Sequence, residues 1–397
     1  MNILFISAVL PYPLYSGGQI RIYNLLKRLS EKHSITLLSF IRDEKEKEYL
    51  HNLSFLSHVE TVFRGKALQL KYLLGALGNY SWLLSTYNNN EMRKCIKYHV
   101  SPPAGRAGSI KYDLIHIEPF YVFPSLPKLS IPLVVGEHNV EYSIYEQYVR
   151  KFPLSFLRPF LFFDVVKTRI WEESVWKKAS ALISVSDEDK RVMESVRKDP
   201  IAVIPNGVDC AHYAYLPKII EKESLRCLFI GDFAWVPNKE AVLMLLRSIW
   251  PKIVSKYPTA TLTIVGKQFP KSLKPYVDRS VTLVEKVTDI RTIYNAHTIL
   301  LAPMGIAGGS KFKLLEAMAS GMIVITSKEG RMGLFMKPGV DLLEVGHLDQ
   351  YVQALDYICT NPEKVLTMTK HAREIIEKQY NWDGIAGGLD RLWRSCV

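Results

Sequence analysis

The sequence is poor in cysteine, and its cysteines form no recognisable pair. Five are scattered over 397 residues, and no Cys-x-x-Cys spacing occurs. Disulfide-stapled secreted domains carry a dense, even set of cysteines, and many structural zinc sites take closely spaced pairs. The pattern therefore suggests neither a disulfide framework nor a zinc site and indicates a reducing compartment.

Long hydrophobic runs are also missing. A membrane-spanning helix needs roughly 18 or more consecutive apolar residues, and the richest stretch, 152–166, is interrupted by Arg158, Pro159 and Asp164. The first residues, MNILFIS, have neither the basic start nor the small-residue cleavage site of a signal peptide. We expect a cytoplasmic chain that is soluble or peripheral on the inner face of the plasma membrane.

Charge is not concentrated in any tail or arm. Basic residues exceed acidic ones by 51 − 39 = 12. Residues 1–209 hold 27 basic and 21 acidic residues and residues 210–397 hold 24 and 18, so each half carries +6. A nucleic-acid binder therefore ranks last among the alternatives, and no nucleic-acid partner is expected. An even positive field suits anionic small molecules or an anionic membrane surface.

What the sequence does contain is a regular alternation of short apolar strands with helices. Strands are predicted at 2–10, 34–40, 113–117, 133–136, 181–185, 203–204, 225–230, 261–265, 281–284, 298–302 and 323–326. Helices are predicted at 20–29, after Ser186, and at 239–250, 311–320, 348–359 and 363–378. With roughly 150 residues per domain as a guide, this alternation predicts two doubly wound α/β domains, 1–209 and 210–378, that meet at the turn PNGVD (205–209). A last helix is expected within 379–397.

The loops after the strands are the candidate sites, because open parallel sheets bind ligands at the carboxyl ends of their strands. The first such loop is Ser16-Gly17-Gly18-Gln19. Its glycines let a ligand approach the backbone, and the free amides of a helix start favour an anion. A plain tight turn is the equal alternative. Arg21 is interpreted either as a binding charge or as a solvated surface arginine.

The second loop is EHNVE (137–141), directly after an apolar strand. His138 there can donate to a phosphate or a sugar hydroxyl, and it can change charge near neutral pH. A structural histidine with satisfied hydrogen bonds is the commoner alternative. A metal pair within this segment has no evident third ligand.

The third loop, AGGSKFKLLEAMASG (307–321), carries the strongest signal. Two glycines and a serine open a helix, and Lys311 adds a full charge for a phosphate. Glu316 lies on a largely apolar helix, where a carboxylate needs hydrogen-bond donors such as the two hydroxyls of a ribose. The alternative is a surface ion pair between Lys313 and Glu316 at i, i+3.

Together these segments resemble the family 4 glycosyltransferases, which have the GT-B fold. The resemblance is carried by PYPLYSGGQIR (11–21), EHNVE (137–141), ISVSDED (183–189), VIPNGVD (203–209), FIGDFAWVPN (229–238) and GGSKFKLLEAMASGMIVIT (308–326). The last segment, followed by a strand and the glycine-rich residues 329–333, is specific to the family. The pattern is most similar to the branch found in bacterial exopolysaccharide, capsule and lipopolysaccharide gene sets.

The resemblance implies two Rossmann-like domains facing a central cleft, with the last helix crossing back to the N-terminal domain. The nucleotide-sugar donor would lie mostly on the C-terminal domain and the acceptor on the N-terminal one. Glu316 would hold the ribose, and His138 would face the transferred sugar or its phosphate. The expected donor contacts are Gly17, Gly18, Gly231, Gly266, Val287, Gly308, Gly309, Ser310, Phe312, Lys313, Leu314 and Glu316, the catalytic groups are His138 and Lys311, and the acceptor contacts are Arg21 and Asn139.

Two departures from the family pattern concern the donor site. The family usually has two glutamates separated by seven residues, and Gly308 takes the place of the first one here. Many members have an arginine after the glycine that matches Gly231, followed by a Lys-Gly pair. Those places hold Asp232 and Lys239-Glu240 here. We expect Lys311 to replace the missing positive charge.

The expected function is transfer of a hexose, with retention, to a hydroxyl of a saccharide or lipid-linked saccharide in bacterial surface polysaccharide synthesis. The donor would be a nucleoside diphosphate sugar, with UDP or GDP the favoured nucleotides. The amides of 309–311, the helix dipole and Lys311 would stabilise the departing diphosphate, so neither a metal nor a cofactor is expected. The acidic run 187–189 is interpreted as a helix start rather than a metal motif. An inactive GT-B scaffold and a GT-B sugar-nucleotide epimerase are the alternatives.

Two stretches, 64–84 and 150–178, combine basic residues with apolar and aromatic ones. The second holds seven basic and three acidic residues. This composition on an amphipathic helix suits an anionic membrane surface. An ordinary helix with one face on the core and one in water is the alternative.

Overall fold

The computed structural model describes residues 1–65, 69–101, 110–285, 287–305 and 311–397. These residues form two compact units. The first unit contains Met1–Pro205 together with Ile385–Val397, and the second contains Asn206–Gly384. The division lies between Pro205 and Asn206, inside the turn that separates the predicted domains.

The first unit is built on a seven-stranded parallel sheet with the order β3-β2-β1-β4-β5-β6-β7. Its strands are β1 (Asn2–Ser7), β2 (Ser34–Ile41), β3 (His58–Phe63), β4 (Leu114–Glu118), β5 (Leu133–Gly136), β6 (Ala181–Ser184) and β7 (Ile201–Val203). Its helices are α1 (Gly17–Leu29), α2 (Leu70–Leu77), α3 (Trp82–Tyr87), α4 (Asn90–Val100), α5 (Glu141–Arg150), α6 (Arg158–Lys178) and α7 (Asp187–Glu194). Short 3₁₀ helices lie at Glu44–Leu53, Phe120–Ser125 and Ser155–Leu157.

The second unit is built on a six-stranded parallel sheet with the order β10-β9-β8-β11-β12-β13. Its strands are β8 (Arg226–Asp232), β9 (Thr261–Lys267), β10 (Val281–Val284), β11 (Ile299–Ala302), β12 (Ile323–Ser327) and β13 (Leu343–Val345). Its helices are α8 (Val236–Met244), α9 (Trp250–Lys256), α10 (Ile290–Ala296), α11 (Phe312–Ala319), α12 (Lys328–Arg331), α13 (Gln350–Thr360) and α14 (Pro362–Gln379). A π-helical turn (Leu245–Ile249) joins α8 to α9, and 3₁₀ helices lie at Lys222–Ser224 and Lys271–Tyr276.

Both sheets follow the Rossmann strand order, so the prediction of two doubly wound α/β domains is confirmed. The central strands are buried on both faces, as parallel strands covered by helices must be. In β8, for example, Cys227 and Phe229 pack into one hydrophobic cluster and Leu228 into another. The order reverses between β1 and β4 in the first unit and between β8 and β11 in the second. These are the points at which such sheets bind ligands.

Two strands, β3 and β13, were not predicted. The segment HVETVF of β3 mixes polar with apolar residues and is mostly half-buried, so it lacks the apolar run that marks the central strands. β13 has only three residues. Both lie at the edge of their sheet, where one side of the strand has no neighbour to bury it.

The last helix, α15 (Trp382–Ser395), begins in the second unit and ends in the first. Within the first unit its side chains are firmly held. The indole N–H of Trp393 donates to Nδ1 of His116 (2.9 Å), and Asp390 lies 2.8 Å from Nε2 of His33. Among the described residues, no helix is long and apolar enough to cross a membrane.

Candidate functional site

The glycine loop after β1 and the histidine after β5 meet at the carboxyl edge of the first sheet. Ser16 caps α1, and a reciprocal hydrogen bond between Ser16 and Gln19 fixes the start of the helix at Gly17. A Cβ on Gly18 would lie 3.2 Å from Cε1 and 3.3 Å from Nδ1 of His138. The imidazole packs directly on the helix start, so a side chain at Gly18 would require the ring to shift by a few tenths of an ångström.

His138 is oriented by a buried carboxylate. Its Nε2 lies 2.9 Å from Oε2 of Glu118, and its side chain remains 17% exposed while Glu118 is completely buried. In the neutral imidazole, an Nε2–H that donates to Glu118 leaves Nδ1 as a hydrogen-bond acceptor. Glu118 thus selects which ring nitrogen faces the glycine loop.

Glu118 is held in its ionised form by the groups around it. Burial alone would raise its pKa, but the Arg21 charge and hydrogen bonds from His116 and His138 outweigh burial and hold the pKa well below its usual range. Nε of Arg21 is 3.4 Å from Oε1, and Nε2 of His116 is also 3.4 Å away. The result is a fixed negative charge behind His138.

Sequence reasoning missed Glu118, although two signals were available. The residue ends an apolar strand at its carboxyl edge and is followed by proline. In addition, a Cβ on Gly136 would lie 2.6 Å from both Cγ and Oε1 of Glu118. The glycine at the end of β5 therefore provides the room that this carboxylate occupies.

The two predicted acceptor residues have different surroundings. Arg21 is buried, and its guanidinium also donates to the carbonyls of Ile204 and Pro205 at 2.8 and 2.9 Å. The interpretation as a solvated arginine is therefore wrong, and the predicted acceptor contact of Arg21 stays a prediction. Asn139 is partly buried, and its amide donates to Glu141 at 3.5 Å.

The other acidic residues of EHNVE support the fold around His138. Glu137 accepts hydrogen bonds from the indole of Trp176 (2.9 Å) and the amide of Phe120 (3.3 Å). Glu172 of α6 accepts from the amides of Glu141 and Tyr142 at the start of α5. Burial raises the pKa of both Glu137 and Glu172 well above the usual value.

In the second unit, two glycines allow β8 and β9 to approach closely at their carboxyl ends. Gly231 and Gly266 face each other in register. A Cβ on Gly266 would lie only 2.0 Å from the carbonyl oxygen of Gly231, and one on Gly231 would lie 3.0 Å from Asn238. Any side chain at Gly266 would therefore separate the two strands.

Glu316 lies on α11 between two tyrosines. The hydroxyl of Tyr294 donates to Oε2 at 2.7 Å, and Tyr213 donates a second hydrogen bond. The residue is only partly buried, yet desolvation raises the pKa of the carboxyl to about 7, against the effect of these two donors. The ammonium group of Lys313 points elsewhere, so the alternative of a Lys313–Glu316 surface pair is wrong.

The Lys313 ammonium lies at the end of β8. It donates to the carbonyl of Ile230 at 3.1 Å and to Oδ1 of Asn238 at 2.8 Å, and it is 5.0 Å from the centre of the Phe229 ring. Burial, and secondarily the charge of Lys311, lowers its pKa to about 7. A partly buried cation whose hydrogen bonds go to neutral oxygens is well suited to an anionic ligand.

Lys311 immediately precedes α11 in a left-handed backbone conformation (φ 54°). For a non-glycine residue this conformation costs about 1 kcal/mol, and such strain is frequent at functional sites. Its ammonium donates to the carbonyl of Glu329 at 2.9 Å. Lys313 thus supplies a second positive charge in addition to the one that the sequence predicted at Lys311.

The remaining predicted donor residues are placed as follows. Leu314 is completely buried, so its side chain does not reach a donor as the sequence predicted. Phe312 is nearly buried, and its ring lies 6.2 Å from that of Trp382. Val287 packs partly buried against the same cluster as Tyr294. The predictions for Gly308, Gly309 and Ser310 lie outside the described residues.

The acidic run Asp187–Asp189 starts α7, as expected. Ser186 is the N-cap, and its hydroxyl accepts from the amide of Asp189 at 3.0 Å. Carboxylates in the first turn also interact favourably with the helix dipole. The interpretation of this run as a helix start is confirmed.

One helix face of the first unit is apolar and exposed. Phe156, Phe160, Phe163, Val166 and Ile170 follow one another at helical spacing, and Phe160 is 75% exposed. Lys167 of α6 donates from its ammonium to the carbonyls of Ala76 and Gly78. These bonds hold the segment with the exposed Leu77 next to α6. We call these six apolar residues the α6 face. The other side of α6 packs on the core through Val165, Thr168, Glu172, Val175 and Trp176.

Comparison with known sequences places both units in one family. Residues 15–212 match Glycosyltransferase Family 4, and residues 224–361 match Glycosyl transferases group 1. The chain is 22% identical, over 362 residues covering 86% of it and 87% of the relative, to an uncharacterized 44.6 kDa protein in the cps region of Klebsiella pneumoniae. It is 25% identical over 298 residues, 72% of the chain and 71% of the relative, to the phosphatidyl-myo-inositol mannosyltransferase of Mycolicibacterium smegmatis.

Solved structures agree on the fold. Sucrose-phosphate synthase from Thermosynechococcus elongatus superposes with a TM-score of 0.75 at 16% identity, over 100% of this chain and 99% of that one. Anabaena HepE in complex with UDP gives a TM-score of 0.63 at 15% identity and covers both chains fully. With the two family matches and the two Rossmann-like sheets, these likenesses show that the chain belongs to glycosyltransferase family 4 and has the GT-B fold.

Proposed function

We propose that this glycosyltransferase moves a hexose from a nucleoside diphosphate sugar to a hydroxyl of a saccharide or lipid-linked saccharide, with retention at the anomeric carbon. The observation that carries the proposal is that α11 presents two separate groups: the partly exposed Glu316 carboxylate and Lys313, whose ammonium lies at the end of β8. A diol-binding carboxylate and a phosphate-binding cation on one short helix are the two groups that a nucleotide sugar requires.

The donor is a UDP- or GDP-sugar. The ribose hydroxyls donate to Glu316, whose carboxylate is already fixed by Tyr294 and Tyr213. The diphosphate lies against Lys313 and the start of α11, where the helix dipole also favours negative charge. The UDP in Anabaena HepE supports a uridine nucleotide but belongs to that protein.

The leaving diphosphate defines the electrostatic task. The acceptor hydroxyl oxygen bonds to the anomeric carbon as the bond from that carbon to the phosphate oxygen breaks. The electron pair stays on the diphosphate, which takes up the hydroxyl proton, and positive groups already in place stabilise the departing charge without reorganisation. Lys313 and Lys311 supply this charge, so transfer requires no metal ion and no cofactor. Removing one such preorganised donor typically costs about 3–4 kcal/mol in the barrier.

His138 contributes from the first unit. With Nε2 committed to Glu118, its Nδ1 accepts a hydrogen bond from a hydroxyl of the transferred sugar or, when protonated, donates to a phosphate. Glu118 is therefore a positioning residue in this proposal. It acts only through the imidazole.

The pathway is the synthesis of a bacterial surface polysaccharide. The relative in the capsule region of Klebsiella pneumoniae supports this setting, and the mannosyltransferase of Mycolicibacterium smegmatis carries a lipid in its name. A lipid-linked acceptor places the enzyme at the inner face of the plasma membrane. The α6 face, with basic residues such as Arg158 and Lys167 beside it, would lie in that interface.

Transfer itself is tested with a panel of radiolabelled UDP- and GDP-sugars and a membrane lipid extract as acceptor. Labelled glycolipid should appear with one donor, remain in EDTA, and fall at least about 100-fold in Lys313→Met, which corresponds to roughly 2.7 kcal/mol. Lys370→Met, an exposed position on α14, is the matched control. Inversion of the anomeric configuration in the product, seen by NMR, would disprove retention.

The two alternatives give different products in the same assay. An epimerase would release an isomerised nucleotide sugar without any acceptor. An inactive scaffold would bind the nucleotide and turn over no donor. Either result would replace the transferase proposal.

Membrane binding is tested by flotation with vesicles that contain anionic lipid. The protein should float at low salt, and a Phe160→Ser/Phe163→Ser double variant should remain at the bottom. Flotation of the variant equal to that of the wild type would remove the α6 face from the account, and no flotation of the wild type would remove membrane binding altogether.

A further inference from the structure

A second cluster of chemically active side chains lies on the first unit, far along the sheet from His138. His58 and Glu60 come from β3, and His99 comes from α4. One ligand atom from each of these residues lies within 4.8 Å of the others. Nε2 of His99 is 3.1 Å and Nε2 of His58 is 3.9 Å from Oε2 of Glu60.

The hydrogen bonds around His99 leave its Nε2 facing a negative charge. The hydroxyl of Tyr112 lies 3.0 Å from Oγ1 of Thr36 and 3.0 Å from Nδ1 of His99. When the His99 proton is on Nδ1, that nitrogen donates to the tyrosine oxygen. With the proton on Nδ1, Nε2 presents its lone pair to the Glu60 carboxylate. Two electron-rich atoms at 3.1 Å repel each other unless a cation, either a second ring proton or a metal ion, lies between them.

The arrangement matches the needs of a zinc ion. Zinc binds imidazole nitrogen and carboxylate oxygen at about 2.0–2.2 Å in a tetrahedron, which places neighbouring ligand atoms about 3.4 Å apart. The two distances to Glu60, 3.1 and 3.9 Å, bracket that value, and all three ligand atoms lie within 4.8 Å of one another. His58 and Glu60 are 54% and 41% exposed and can adjust, whereas His99 is 13% exposed and is held by Tyr112. A histidine fixed through its second nitrogen is the usual support of a zinc ligand.

We propose that His58, Glu60 and His99 form a zinc-binding site with a water molecule in the fourth position. Two imidazoles select zinc over magnesium or calcium, which prefer oxygen ligands. Cys95, one turn before His99 on α4, hydrogen-bonds to Glu60 and supports the carboxylate from behind. The sequence did not indicate this site because its ligands are separated by 39 residues and lack closely spaced cysteines.

The position of the site indicates a structural purpose. β3 is the edge strand of the sheet, and His58 is its first residue, so the ion lies at the amino end of the strands. His138 follows β5 at the carboxyl end. A zinc ion would fasten α4 to the edge strand, which has a neighbouring strand on one side only. The proposal does not depend on the transferase reaction.

The test uses the full-length, untagged protein freed of metal by chelation. Zinc is titrated in competition with a chromophoric chelator. The wild type should bind one zinc ion per chain, and His58→Ala and His99→Ala should each bind at least tenfold more weakly. His51→Ala, an exposed histidine outside the cluster, is the control and should bind as the wild type does.

A second measurement covers the case in which His99→Ala folds poorly. His58 is exposed, so His58→Ala should keep the thermal midpoint of the metal-free wild type. Zinc should raise the midpoint of the wild type and of His51→Ala but not that of His58→Ala, because only the folded site binds the ion. Absence of a saturable site in the wild type, or equal zinc binding by His58→Ala and His51→Ala, would overturn the proposal.

Discussion

In the proposed donor site, the pH dependence of donor binding should follow from two groups on α11 with opposite charge requirements. Glu316 must be ionised to accept two ribose hydroxyls, and burial raises its pKa to about 7. Lys313 must be protonated to bind a phosphate, and burial lowers its pKa to about 7. The donor therefore binds best near pH 7, and its affinity falls on both sides.

The size of the effect follows from the two populations. At pH 7 about a quarter of the sites hold both groups in the required state, and at pH 5 about 1% do, because Glu316 is then almost fully protonated. Affinity should fall about 25-fold between these values and by a similar factor between pH 7 and 9. A UDP- or GDP-sugar is the suitable ligand because both its phosphates are esterified and do not titrate in this range.

Isothermal titration calorimetry across pH 5–9 measures this profile. Glu316→Gln should weaken binding at pH 7 and abolish the acid limb, and Lys313→Met should abolish the alkaline limb. Glu374→Gln, exposed on α14, should leave both limbs in place. A flat profile in the wild type, or an acid limb that survives in Glu316→Gln, would refute the assignment of these two groups.

The raised pKa of Glu316 also makes the stability of the protein without donor depend on pH. Folded Glu316 keeps its proton up to about pH 7, whereas the unfolded chain releases it near pH 4.5. The folded state thus binds more protons in this window, and its contribution to stability is lost as the pH rises from 4.5 to 7. Donor binding favours the ionised form and opposes this loss.

Three further substitutions, with Gly384→Ala as a control for one of them, test the packing of the two sites. Glu118→Ala leaves the buried Arg21 without its carboxylate and should lower the free energy of unfolding by about 3–5 kcal/mol in urea titrations; a loss below 1 kcal/mol would contradict the buried ion pair. Gly18→Ala should reduce kcat at least tenfold with little change in the thermal midpoint, because its Cβ would displace the His138 ring. Unchanged kinetics would show that this ring takes no part in the reaction. Gly266→Ala should destabilise the protein by about 3 kcal/mol, the upper end of the usual cost of overpacking, because its Cβ would overlap the carbonyl oxygen of Gly231. Gly384→Ala, a helical position with no atom within 4 Å of the new Cβ, should stabilise it by about 0.5–1 kcal/mol, and equal effects at the two glycines would contradict the strand contact.

The sequence predicted the central strands well because burial on both faces leaves a continuous apolar run that needs no partner to be recognised. It predicted some of the helices but not α2, α3, α4, α5 or α10. The edge strands β3 and β13 could not be predicted in the same way. Their pairing with β2 and β12 depends on neighbours far away in the chain. Local pattern carries little information on such contacts.

The residues of the candidate sites also divide into those that a local pattern reveals and those whose position depends on contacts with distant residues. Glu316 was recognisable because a carboxylate on an apolar helix is conspicuous in any local window. The role of Arg21 was not, because the contacts that bury it come from Glu118, Ile204 and Pro205. Lys313 was expected to contact the donor, but the position of its ammonium group at the end of β8 could not be predicted, because only the fold brings Lys313 and β8 together.

The central claim is that α11 carries the nucleotide-sugar site, and thermal stabilisation by UDP, GDP, ADP and TDP and their sugars tests it most directly. One nucleotide series should stabilise the wild type by about 2.7 kcal/mol at 100 times its dissociation constant. The shift should vanish in Glu316→Ala and persist in Glu374→Ala. A shift of equal size in both variants, or no shift in the wild type with any nucleotide, would contradict the account.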